Sequence, residues 1–414
     1  MAELHPFRGI RYHMGNVPNL SGVLCPPRHA LSEQERFRYY LRHPHNAVRL
    51  DYGQDDPDDD AVINRHSRAA ETMTRWLSEG ILRRDEIPGF YIYEQEFIAP
   101  DGDDTENRLG LLALVRLEDI ETGNVRVMDA PRPDLTLDRL ALLKATHVEM
   151  APIVALYEDP DQLAAEILLE EKAMPPFLSL TDEEGEQHRL WRLIDPGLIE
   201  RVQEALATSP LYLADDLYRY EAALAYRDHL NANGADAANG LHNYAMMLLV
   251  DTEDPGLRLS AVHRLVKAPQ VPADFLERLS PHYDIQPHAL SDDRPDPEQL
   301  SALHDGASRL GMLRTSERTY YALSPKEDGL EAEQLHDRVL SGVLGLSPAD
   351  GAVSYAREVR EVLVGMGSGE FDLAFLLPPP RLEAAPRATA PARTAEILPK
   401  APTGLVFHHL EGTI

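Results

Sequence analysis

The chain has 414 residues, with 40 Lys or Arg against 69 Asp or Glu, a net charge of −29. So acidic a surface repels phosphate backbones and anionic lipid, which excludes non-specific nucleic-acid and membrane binding. The length suggests about two or three domains with a core large enough to need no staple, and the lone Cys25 excludes an intramolecular disulfide or a Cys-rich zinc site.

The start, Met1-Ala2-Glu3-Leu4-His5-Pro6, lacks the basic and apolar regions of a signal peptide. The longest apolar runs, such as Met246 to Val250, are far too short to span a bilayer. The expected compartment is the cytoplasm. Ser32-Glu33-Gln34-Glu35 forms a capping box and predicts a helix towards His43. Val48 and Leu50 read as a short strand. Asp55-Asp56-Pro57-Asp58-Asp59-Asp60 lacks the Gly and Glu of a calcium loop and reads as a solvated turn before a helix to about Ser78.

Phe90 to Ile98 alternates as a strand, Pro100 to Asp103 is a turn, and Leu109 to Leu117 returns. Val125 to Met128 follows, so an antiparallel meander is expected. Leu137 to Thr146 is helical, Ile153 to Tyr157 a strand, and Gln162 to Ala173 a helix. Strands at Phe177 to Leu180 and His188 to Ile194 bracket Asp182-Glu183-Glu184-Gly185. Pro196 opens a helix to about Ala207.

Leu211 to Ala214 reads as a strand running into Asp215-Asp216 and a helix to about Leu230. Strands are expected at Tyr244 to Asp251, Leu259 to Val266, Tyr320 to Leu323 and Phe371 to Leu377. Helices are expected near Ala273 to Leu279, Pro297 to Asp305, Glu331 to Val343 and Ala356 to Gly365. Helices and hairpins mix without strict alternation, which predicts an α+β fold. The expected division is an N-terminal region 1–205, a C-terminal region 206–377, a Pro/Ala-rich connector 378–402 and a terminal strand within 403–414.

Several segments carry a family likeness: His5 to Tyr12, Asn46 to Leu50, Tyr91 to Gln95, Asp138 to Leu143, Tyr220 to Tyr226, Phe371 to Leu376 and Thr403 to Phe407. In that order they resemble the domain-of-unknown-function family 1015, over nearly the whole chain. Its strand-to-helix signature is Asp-Gly-His-His-Arg-Tyr-Glu, similar to one in free serine kinases of the ParB-like superfamily. There it belongs to the nucleotide phosphotransfer site. The resemblance implies a ParB-like element around residues 210–230 and a small-molecule kinase ancestry. It implies ATP or ADP with magnesium as cofactor and a small hydroxyl compound as substrate.

This sequence departs from the signature, reading Asp215-Asp216-Leu217-Tyr218-Arg219-Tyr220-Glu221. The Gly has become Asp216, and the two His have become Leu217 and Tyr218. Further motif positions have changed at Met128-Asp129-Ala130-Pro131, Pro26-Pro27-Arg28-His29-Ala30 and Glu396 to Lys400. On this resemblance Glu221 and Asp129 are candidates for catalysis. Asp215, Arg219, Tyr220, Arg8 and Arg11 are candidates for nucleotide binding, and Asp215 and Asp216 for a metal. Paired Asp residues at a helix start also serve as caps, Arg219 also fits a surface ion pair, and Glu221 also fits a solvated helix residue. The motif losses support a second expectation: a non-catalytic scaffold or regulatory pseudoenzyme. His147-Val148-Glu149 lacks the cysteine partners of a deaminase. His282, His288 and His408-His409 lack zinc spacing. Gly365-Met366-Gly367-Ser368-Gly369 reads as a helix stop. Cys25 has only His29 nearby as an activating partner.

Overall fold

A computed structural model describes residues 3–98, 104–213, 215–268, 270–290, 297–304, 310–315, 317, 319–327, 329, 331–346, 351–378 and 395–414. The turn expected at 100–103 and most of the 378–402 connector lie outside them. The fold is α+β. Its residues divide into two units. The first comprises Met1–Arg126, Pro131–Arg258 and Pro399–Ile414, and the second Val127–Ala130 and Leu259–Leu398.

The first unit is built on a nine-stranded mixed sheet. In order across it lie Val125–Val127, Leu211–Leu213, Ile153–Tyr157, Tyr244–Asp251, Thr105–Arg116, Phe90–Ile98, Gln187–Leu193 and Leu178–Thr181, with Leu4–His5 also on Thr105–Arg116. Tyr244–Asp251 is central because it is apolar on both faces, and Tyr244 to Val250 are all buried. It runs parallel to Ile153–Tyr157 and antiparallel to Thr105–Arg116. The expected meander is therefore corrected: Val125–Val127 lies beside Leu211–Leu213, and the more apolar Tyr244–Asp251 takes the place beside Thr105–Arg116.

Helices Glu33–Arg42, Arg65–Ser78, Pro133–Thr146, Leu163–Lys172, Pro196–Leu206 and Leu217–Ala232 belong to this unit. Ser32 closes the expected capping box, its hydroxyl accepting Glu35 N–H at 3.3 Å while Glu35 accepts Ser32 N–H at 2.8 Å. The strand expected at Val48 and Leu50 is instead a helix, Val48–Asp51. Asn46 sets that turn, its Oδ1 accepting Val48 N–H at 2.9 Å. The acidic 55–60 stretch is a turn closed by its own side chains. Asp60 Oδ1 accepts Val62 and Ile63 N–H at 2.7 Å each, and Asp59 pairs with Arg68.

The second unit holds a six-stranded antiparallel sheet in the order Tyr283–Ala289, Thr319–Pro325, Leu310–Arg314, Leu373–Leu376, His263–Val266, Val353–Ala356. Successive side chains point to opposite faces. Val266, Met312, Tyr321, Leu373 and Phe375 pack with Phe275, Leu335 and Val339 on one side. Their chain neighbours Leu265, Leu313, Tyr320, Ala374 and Leu376 pack with Leu300 and Val362 on the other. The single strand expected over Leu259 to Val266 is two. Arg258–Ala261 pairs with Ala395–Leu398, and His263–Val266 joins the larger sheet. The expected 331–343 helix is one α-helical turn, Glu331–Gln334, followed by the wider π-helix Leu335–Ser341.

Candidate functional site

The strand Leu211–Leu213 leads to Asp215-Asp216 and the helix Leu217–Ala232. Asp216 has φ +64° and ψ 19°, the left-handed conformation that glycine adopts without cost. Of residues with a Cβ, Asp and Asn tolerate it best. The side chain of Asp216 makes no capping hydrogen bond, so the cap reading does not hold there. Leu217 and Tyr218 are fully buried and stand where the family signature has imidazoles, so no ring nitrogen is offered there. Tyr220 has a structural task. Its phenol donates to Glu118 O at 2.6 Å and accepts Glu118 N–H at 3.0 Å. Glu221, half-buried, accepts the Thr136 hydroxyl at 2.9 Å.

Charged side chains gather around this turn from distant parts of the chain. Asp51 is buried; Arg139 Nη1 donates to its Oδ1 at 2.5 Å, and Arg219 Nη2 stands 3.6 Å from its Oδ2. Arg219 Nε donates to Asp216 Oδ1 at 3.2 Å. Lys400 pairs with Asp215, and Arg132 Nη2 lies 3.7 Å from the same carboxylate. The Arg132 and Arg219 guanidiniums lie over the Tyr218 ring, 4.8 and 5.3 Å from its centroid. Asp138 gathers Arg28, Arg65 and His66 close by on the same helix as Arg139.

Burial alone would push every one of these carboxyls up. At Asp51 the guanidiniums of Arg139 and Arg219 outweigh it and hold the group at about 2. At Asp216 burial and the neighbouring Asp215 prevail over Arg219, and the group is pushed up to about 6. Arg139 Nε and Nη2 and Arg219 Nη2 are buried and donate no hydrogen bond among the described residues. Buried guanidinium donors of this kind are matched to an oxyanion. Asp215 and Asp216 each already face a cation, so a magnesium ion fits here only if Lys400 and Arg219 withdraw.

Arg8 and Arg11 gather at a different carboxylate, Asp85. Arg11 donates to the Asp85 carboxylate, Nη2 to Oδ1 at 2.8 Å, and Arg8 Nε donates to Asp85 O at 2.9 Å. Tyr91 donates to the same carboxylate at 2.8 Å. Asp129, in the second unit, is fully buried and accepts Ala130 N–H at 2.9 Å. Cys25 is buried, and burial followed by Asp51 pushes its thiol well above the ordinary range, which opposes a nucleophilic role.

Sequence reasoning missed Asp51, Arg139, Lys400 and Glu149. Glu149 is buried and accepts Met246 N–H at 2.7 Å; burial pushes it up to about 8 although Arg219 and Arg139 pull it down. The Asn46 to Leu50, Asp138 to Leu143 and Glu396 to Lys400 stretches flank or include three of these positions. Nothing in the sequence marks them as partners.

A family model described as a protein of unknown function, DUF1015, matches residues 4–346. The chain belongs to this family. No curated protein matches it. Among solved structures, a free serine kinase in complex with AMP is 11% identical with a TM-score of 0.37, over 72% of this chain and 91% of that one. A conserved hypothetical protein from Pyrococcus furiosus is 13% identical with a TM-score of 0.37, over 72% and 95%. SbnI with a C-terminal truncation, from Staphylococcus aureus, is 11% identical with a TM-score of 0.33, over 70% and 85%. Identities and scores this low carry no function across. No helix among the described residues is long and apolar enough to cross a membrane.

Proposed function

We propose that this family member is a kinase-like, nucleotide-binding cytoplasmic protein whose phosphate-type site has been internally neutralised, so that phosphoryl transfer to a small hydroxyl substrate is reduced or altered. The observation that carries this reading is Asp216. It adopts a glycine-type conformation at the helix tip and gives its carboxylate to Arg219. A helix start with an Arg beside it otherwise receives phosphate. A carboxylate about 4 Å from a phosphate oxygen opposes binding by roughly 4 kcal/mol at an effective dielectric of about 20. Arg139 Nε and Nη2, which donate no hydrogen bond among the described residues, support a residual anion pocket beside it.

The test is thermal unfolding of the wild-type protein and of Asp216→Gly with ADP or ATP, each with and without magnesium. Wild type is expected to shift weakly at millimolar nucleotide, and D216G to bind at least tenfold more tightly. A wild-type affinity equal to that of D216G overturns the reading. The burial of Leu217 and Tyr218 favours a second reading, the regulatory pseudoenzyme. Absence of any shift in both proteins selects it.

A further inference from the structure

We infer that the hairpin joining Leu178–Thr181 to Gln187–Leu193 carries a divalent transition-metal site formed by Asp182, Glu186 and His188. This site is separate from the helix-tip cluster and needs no phosphate chemistry. The turn that builds it is short. Asp182 N–H donates to Glu186 O at 2.9 Å, and Gly185, at φ +91°, allows the reversal. Asp182 Oδ1 accepts Glu186 N–H at 2.9 Å, which fixes the carboxylate over the strand. Glu186 and His188 are two residues apart in extended chain, so they share a face. One oxygen of each carboxylate and one ring nitrogen lie within 4.8 Å of one another. A tetrahedral ion with bonds of about 2.0–2.2 Å needs its ligand atoms about 3.3–3.6 Å apart, so the three side chains close inward on binding.

The surroundings hold these three groups in place, as outer partners do around metals. The His188 side chain is wholly enclosed. Its ring stacks on Tyr93 at an interplanar angle of 9°, and its Nδ1 is 2.8 Å from the Tyr93 hydroxyl. That leaves Nε2 facing Asp182 Oδ2 at 3.1 Å, where a shared cation satisfies both. Gln95 Nε2 donates to Glu186 Oε2 at 2.6 Å, and Arg108 Nη2 orients Gln95 through its Oε1 at 2.5 Å. One imidazole with two carboxylates and no thiolate suits zinc or another first-row divalent ion, with water at the open positions.

The test is titration calorimetry of chelator-treated full-length protein with Zn2+, beside metal analysis of the loaded protein. Wild type, Glu186→Gln, Asp182→Asn and His188→Ala are compared, with circular dichroism to check each fold. One zinc per chain is expected in wild type, with affinity at least tenfold lower in every folded variant. Glu186→Gln keeps the hydrogen bond to Gln95, so it reports even if His188→Ala does not fold. Absence of stoichiometric zinc in wild type, or unchanged affinity in Glu186→Gln and Asp182→Asn, overturns the inference.

Discussion

Asp216 and Glu149 are buried acids held above their ordinary range, and both shape the pH dependence of stability. The folded chain binds a proton that the unfolded chain has already released, so each such group removes stability as pH rises. For Asp216 the window runs from about 4 to about 6. For Glu149 it runs from about 4.5 to about 8. Glu149→Gln keeps an acceptor for Met246 N–H and carries no charge. Its urea midpoint is expected to exceed that of wild type by an amount that grows through pH 4.5–8 and is level above. A constant difference between the two proteins counts against a buried protonated Glu149. Asp216→Gly removes both a left-handed Cβ, costing roughly 1–2 kcal/mol, and a buried carboxyl beside Asp215. D216G is expected to be the more stable protein at pH 8, by denaturant melts, although Arg219 loses one partner.

Three helices meet through one carboxylate. Asp51 ends the Val48–Asp51 helix and receives Arg139 from Pro133–Thr146 and Arg219 from Leu217–Ala232. Deleting one member of a buried ion cluster strands the others in low dielectric. Asp51→Ala is therefore expected to lose about 3–5 kcal/mol. The opposite acid sign applies here: a carboxyl held at about 2 contributes stability above pH 4 that fades as pH falls towards 2. Wild type is expected to lose more stability over that range than Asp51→Asn, if the variant folds. The Glu33–Arg42 helix offers a simpler case. Ser32→Ala removes the capping box and is expected to cost about 1 kcal/mol, read by urea melts.

Across the whole molecule the net charge of −29 makes self-repulsion a general cost of the folded state. The Arg-rich cluster around Asp51 and Asp138 is a local exception within that field. Salt screens exposed charges over about 8–10 Å at physiological strength and leaves buried pairs largely untouched. Raising NaCl from low to physiological concentration is expected to raise the unfolding temperature. A fall would mean that exposed ion pairs, each worth roughly 0–1 kcal/mol, outweigh the repulsion.

The sequence by itself determined elements with strong local signals. Phe90–Ile98, Ile153–Tyr157 and Tyr244–Asp251 have the expected bounds, and Ser32 caps the helix it predicts. The α+β class and the family likeness were legible too, because periodicity and short motifs are properties of neighbouring residues. Val48–Asp51 was not, since two apolar residues two apart suit a strand until the Asn46 turn and helix packing decide. Tyr283–Ala289 was hidden by Pro287, which is tolerated because that strand is at the sheet edge. Asp215, Asp216, Arg219 and Glu221 were visible as one motif in the chain. Only the tertiary structure decided that Asp51, Arg139 and Lys400 face them, or that Asp182, Glu186 and His188 converge with Tyr93 behind. Charges and hydrogen bonds act over a few ångströms in space, and residues as distant in sequence as Asp215 and Lys400 meet only when the chain is folded.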